Sequence, residues 1–299
     1  MMYSNRNFIQ EVRYRFNTDG MHVQLIIINT IVFLFLALLS VFNRLIGLNQ
    51  IPIDRILTDI FTLHPSFHLF LKKPWGLFTS IFSHFDFFHW LGNMVFLYFS
   101  GKLIDQFWGG RKLFTLYLLG GLMGGLFEIG ASTFLFTKES HTIVGASGAI
   151  MAIFIGLAFY KPMLEVALFG VIKFPIYILA FLYVIYEFIH IGISDGTAHF
   201  AHIGGIIAGY YASKNHTKSN SLFGAIEKII IRMMNVFDKS KKTNFVIKKG
   251  GRPLSDEEFI LQKKQNQAQI DLILDKIAKS GYESLSKSDK EFLFNQSKK

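Results

Sequence analysis

The chain has 299 residues, 51% of them hydrophobic and 17% charged, with a mean hydropathy of +0.35. An ordinary soluble domain carries about 25% charged residues, so this composition points to a membrane protein. Of the net charge of +10, +8 lies from Ser213 onward, and the lack of cysteine excludes disulfides, thiol catalysis and Cys-zinc sites.

Residues Met1 to Met21 are polar and carry Arg6, Arg13 and Arg15. The apolar run from about Val23 to Phe42 has roughly the 20 residues a spanning helix needs, and no small-residue cleavage site follows it. It is expected to be a retained helix. Asn43 to Trp75 contains Pro52, Pro65 and Pro74, so it cannot be one helix; being half apolar, it reads as a partly membrane-dipping loop. A second run covers about His84 to Gln106. The third, Leu113 to Phe136, has interleaved Gly120/Gly124 and Gly121/Gly125 pairs, a spacing that admits a neighbouring helix closely. The fourth, Ser147 to Tyr160, is too short to cross alone, so its serine end is expected below the membrane surface, inside protein. A fifth run spans about Phe174 to Ile191 and a sixth about His199 to Tyr211.

With six spans, Arg6, Arg13, Arg15, Lys102, Arg111, Lys112, Lys161, Lys173 and the basic tail fall on one side, which predicts cytoplasmic termini. The start of the fourth helix then faces outward. After the last span, Leu222, Phe223, Ile226, Ile229, Ile230, Met233 and Phe237 follow helical spacing opposite Lys228 and Arg232, as in a helix lying on the inner surface. Ser255 with Glu258 and Ser288 with Glu291 are capping-box spacings around an Ile270, Ile273, Leu274, Ile277 stripe that Gly281 ends. The expected organisation is therefore all-α: a cytoplasmic segment 1–22, a six-helix membrane domain 23–212, a basic amphipathic helix and linker 213–254, and a small helical module 255–299. The tail's basic charge beside a membrane helix suits anionic lipid rather than nucleic acid, and the tail from Ser213 is expected to be dispensable for chemistry.

Polar and ionisable residues within spans are costly and mark function. Ser147 stands between Gly145 and Gly148, where glycines leave its hydroxyl open to a substrate backbone. His202 precedes Gly205 and Gly209, so one helix face carries the imidazole and two glycines able to pack on the fourth helix. That packing would bring Ser147 beside His202, whose neutral imidazole could take the serine proton and return it to a leaving amine. His89 and Asn93 share a face and could, with the Ser147 N–H, supply donors to a developing oxyanion. Glu128 reads as a buried structural hydrogen-bonding group, Glu187 and His190 as reaching interfacial water, and His199 as cavity support. A multi-histidine metal protein is the rival reading, weakened by the lack of a His-Glu-x-x-His pattern.

His84-x4-His89-x3-Asn93, Gly-x-Ser-Gly at 145 to 148 and His202-x2-Gly205-x3-Gly209, on successive even-numbered spans, resemble the rhomboid family of intramembrane serine proteases over about Trp75 to Tyr211. The resemblance implies a six-helix bundle with a water-filled cavity opening outward and cleavage of transmembrane protein substrates near their outer ends. It implies Ser147 as nucleophile, His202 as base and acid, His89 and Asn93 as oxyanion donors and His84 as a supporting residue, with no cofactor or metal. It also implies an integral membrane protein, here expected in a bacterial inner membrane. A Ser–His dyad suffices in this family; Asp195 is the one candidate considered for orienting His202. Three positions depart from the common pattern: Gly76 after Trp75, Asp105 in place of a Glu, and Met151 in place of an aromatic. A catalytically weak or inactive relative that binds transmembrane clients is the alternative.

Overall fold

In a computed structural model of the protein, the described residues are 7–46, 53–135, 142–168, 172–193 and 197–237, with 269–278, 280–281, 284–286 and 288–290 near the C-terminus. His141, Asp195, Ser255, Glu258 and Glu291 lie outside them. The chain divides into two compact units, Met1–Lys239 and Ser240–Lys299.

The first unit opens with α1 (Phe8–Thr18), started by a reciprocal Asn7–Gln10 capping box inside the segment read as merely polar. Helix α2 (Met21–Ile46) buries Leu25, Asn29 and Leu36 along one stripe and exposes Ile31, Leu34, Phe35 and Leu38. The proline-rich segment after it folds as α3 (Ile53–Phe61) and α4 (Phe67–Lys72), then the single turn α5 (Gly76–Thr79). Next comes α6 (Phe87–Phe96), capped by Asp86, which accepts from the His89 N–H at 2.7 Å. The rod continues through one π-helical turn, Leu97–Gly101, into α7 (Lys102–Trp108). Gly109, at φ 87°, breaks it and α8 (Gly110–Phe134) begins. Helices α9 (Ser147–Tyr160), α10 (Ile176–His190), α11 (His199–Asn215) and α12 (Leu222–Phe237) complete the unit. Of these helices, α2 and α8 are long and apolar enough to cross a membrane; α9 and α10 are apolar but shorter.

The all-α expectation needs one correction. Glu165–Leu168 (β1) and Ile172–Pro175 (β2) pair as an antiparallel hairpin. Val166, Ile172 and Phe174 favour extended backbone, and Pro162 and Pro175 bracket the segment, so the fifth helix starts after Pro175 rather than at Phe174.

Helices α8, α9 and α11 form the centre, and α9 is buried from Gly148 to Ala158. The contacts are made at backbone distance. A Cβ on Gly205 would overlap the Gly148 carbonyl, and one on Gly209 the Ala152 carbonyl. The glycine pairs of α8 split between two faces. Gly120 and Gly124 abut α9 and the Ala201 carbonyl of α11, while Gly121 and Gly125 receive Ile81, Leu77 and Leu63.

Helix α12 also belongs to this unit. Phe223 and Ile230 are buried in its core, and Phe223 meets the Trp108 ring, whereas Leu222, Ile229 and Met233 stay exposed. In the second unit residues 269–278 are helical, with Ile273 buried and Leu274 exposed. Gly281, at φ 76°, ends the helix as its N–H binds the Ile277 carbonyl.

Candidate active site

The turn before Ser147 is fixed from several sides. Leu63 and Ile143 exchange backbone hydrogen bonds of 2.9 and 2.8 Å, tying the first long loop to it. The Gly145 N–H donates to Ser80 O at 3.0 Å. Gly145 sits at φ 118°, and a Cβ there would stand 2.7 Å from His89 Cε1, so only glycine suits both the backbone and the space. Ser147 then begins α9, where the first N–H groups of a helix lack intrahelical partners and present a partial positive charge. Its side chain is half-buried and makes no hydrogen bond to His202 or to any other described residue. Catalytic hydrogen bonds are often loose without substrate.

His84 is fully buried behind this turn. Its Nε2 accepts from Asn93 Nδ2 at 2.9 Å and from the Ala146 N–H at 3.4 Å, which leaves its proton on Nδ1. His84 therefore links the buried Asn93 to the residue before the serine. The His89 ring, exposed and edge-on to His84 at 5.3 Å, covers Gly145. His89, Asn93, His84 and the Gly145–Ser147 turn thus converge.

His202 reaches the same place from α11. It is buried, Gly205 one turn on rests on Gly148 of α9, and the residue before it, Ala201, has its carbonyl against Gly148. The Ala201 N–H donates to Glu128 Oε2 at 3.0 Å, so Glu128 has the structural hydrogen bond expected of it.

Glu187 does not reach interfacial water. It is fully buried, with Oε1 3.0 Å from His202 Nδ1 and Oε2 hydrogen-bonded to His199 Nδ1 at 2.8 Å. The pair with His202 has ion-pair distance but not hydrogen-bond alignment, and neither atom has another hydrogen-bond partner among the described residues. His190 is half-buried and bonds Tyr186 O through Nδ1. Glu187, His199 and His202 offer donor atoms within 4.8 Å of one another, compact enough to surround a metal ion.

The three departures sit in different surroundings. A Cβ on Gly76 would overlap the Thr62 carbonyl, so the first loop closes on a position that admits no side chain. Asp105 accepts from the His22 N–H at 3.2 Å and meets His22 Nδ1 at 2.8 Å, packed against Gly20 and Gly110, neither of which could carry a side chain without meeting it. Met151 is buried in the core, one turn below Ser147. A cleft of about 340 Å³ between α2 and α3 reaches His84 and Phe85.

The fold is mostly helical, and among the described residues two helices are long and apolar enough to cross a membrane. A rhomboid-domain family model matches residues 71–216, and over that stretch the chain is similar to the rhomboid family. Residues 255–299 match a second family model, a family of unknown function, DUF6576. The chain is 28% identical over 168 residues to RHOMBOID-like protein 1 of Arabidopsis thaliana, covering 56% of this chain and 40% of that protein. It is 31% identical over 144 residues to the same plant's RHOMBOID-like protein 12, mitochondrial, covering 43% and 42%. The chain thus spans about two fifths of the length of these curated relatives.

Proposed function

We propose that the protein is an intramembrane serine endopeptidase that hydrolyses transmembrane protein substrates near the outer membrane face. The observation that carries this reading is the packing of Gly205 on the Gly148 carbonyl, because it brings the turn of His202 against the turn of Ser147 across 55 residues of sequence. In this reading His202 Nε2 takes the proton of Ser147 Oγ as the oxygen adds to the scissile carbonyl, and gives it to the leaving amine. The Ser147 N–H, His89 and the free amide hydrogen of Asn93 face the developing oxyanion, with His84 holding Asn93 in place. Gly145, Gly148, Gly205 and Gly209 serve by permitting close approach.

The topology that goes with it is six spans formed by α2, the α6–α7 rod, α8, α9, α10 and α11, with both termini in the cytoplasm of a bacterium. The clustering of Arg and Lys at alternate helix ends supports that orientation. Membrane lipid and transmembrane substrates are its partners.

The test is a fluorophosphonate probe on purified, detergent-solubilised protein beside Ser147→Ala and His202→Ala. Labelling of the wild type alone is expected. Absence of labelling in a folded wild type would favour a client-binding, non-cleaving relative.

A further inference from the structure

We infer that Glu187 is a positioning residue for His202, making the site a Ser–His pair backed by a buried carboxylate from α10; this rests on the protease reading above. Glu187 is fully buried, and an unpaired buried carboxylate is severely penalised. Its two oxygens each face one imidazole Nδ1, His202 at 3.0 Å and His199 at 2.8 Å. A carboxylate accepts and cannot donate, so this placement favours the tautomer with hydrogen on His202 Nδ1. Nε2 is then bare and able to take the Ser147 proton. A small rotation of the imidazole aligns the N–H that is now only at contact distance. His199, bonded to the second oxygen, keeps the carboxylate from swinging away, and Tyr183 faces the same group from one turn back on α10.

The alternative occupant of this cluster is a metal ion. Tetrahedral zinc, with bonds of about 2.1 Å, holds its ligand atoms about 3.4 Å apart. The 2.8 and 3.0 Å separations are shorter, those of polar groups in direct contact, and the first is a hydrogen bond.

The experiment uses the full chain in detergent, with ¹⁵N-labelled histidine, His202→Gln to assign the His202 signals, and the fluorophosphonate as kinetic probe. In the wild type near pH 8, His202 is expected to show a protonated Nδ1 and a bare Nε2, and Glu187→Ala to shift it toward the opposite tautomer. The maximal labelling rate should fall about 10²- to 10⁴-fold in Glu187→Ala, and substantially in Glu187→Gln. The probe concentration giving half-maximal rate should stay within about threefold, a split that loss of folding would not produce. A wild-type Nε2–H tautomer, or spectra and rates unchanged by the substitution, would overturn the assignment. So would histidine signals that change on chelation and return with Zn²⁺, which would make the three residues a metal centre. If the wild type fails to label while its tautomer still depends on Glu187, the protease reading falls and the hold on His202 stands.

Discussion

Where α8, α9 and α11 meet, the touching residues are glycine and alanine, and the contacts run from backbone to backbone: Gly205 on Gly148, Gly209 on Ala152, Gly124 on Ala201. Helix α10 is built differently. Phe181, Leu182, Ile185, Tyr186, Phe188 and Ile189 are exposed, and only Ile176, Ala180 and Glu187 are buried. The first arrangement holds the turns of Ser147 and His202 closely, because where Gly205 meets Gly148 and Gly124 meets Ala201 backbone rests on backbone with no side chain to repack. The second leaves a helix held inward by few groups, one of them a carboxylate hydrogen-bonded to His199 and 3.0 Å from His202 Nδ1. In the proposed protease, rigidity of the Ser147–His202 pair and delivery of the charge behind it would be separate tasks on separate helices.

Ser147→Ala and His202→Ala probe that division most severely. Each should lower hydrolysis of a transmembrane test peptide by at least about 10³-fold while melting stays near wild type. Wild-type turnover in either would break the assignment. Gly205→Val should cost about 4 kcal/mol or more, because its side chain must displace backbone, and little folded protein should be recovered from the membrane. Ending the chain before Leu222 should also be damaging. Phe223 and Ile230 are buried in the first unit, and losing such side chains costs about 2–5 kcal/mol each. Ending it after Lys239 should leave probe labelling at the wild-type rate. The expectation of a dispensable tail from Ser213 is therefore revised to one from Ser240. On α10, Phe181→Ala should shift stability within about 0.5 kcal/mol, since the ring lies on the outer face.

The smallest effect concerns the far end of the bundle. The His216 ring stacks on Trp108 at 4.2 Å, and burial, with Lys112 nearby, holds its imidazole below the usual value. A histidine kept neutral by the fold stabilises above the unfolded value of about 6.5, and that share is lost as pH falls through the folded value. Thermal melts at falling pH should show His216→Phe losing less stability than the wild type, by a few tenths of a kcal/mol after solvent screening.

Much of the site is legible from local spacing. His84, His89 and Asn93 fall on neighbouring turns, Ser147 opens an apolar run between glycines, and His202 precedes two glycines at helical intervals. Those relations depend only on the 3.6-residue period and on the cost of polar groups among apolar ones. Glu187 escaped the same reasoning because a Glu near the end of an apolar run looks alike whether it turns outward to water or inward to a histidine. The β1–β2 hairpin was hidden for a related reason, as Phe174 merges into the apolar run that follows.

By itself, then, the sequence marked the main apolar helices, the glycine faces and a candidate serine, histidines and asparagine, since each follows from residue type and near-neighbour spacing. Only the tertiary structure decided that Glu187 stands behind His202, that Gly76 is closed by Thr62 and that α12 docks on the bundle. These are contacts between elements distant in the chain, settled by which faces pack and how much polar surface that packing must satisfy.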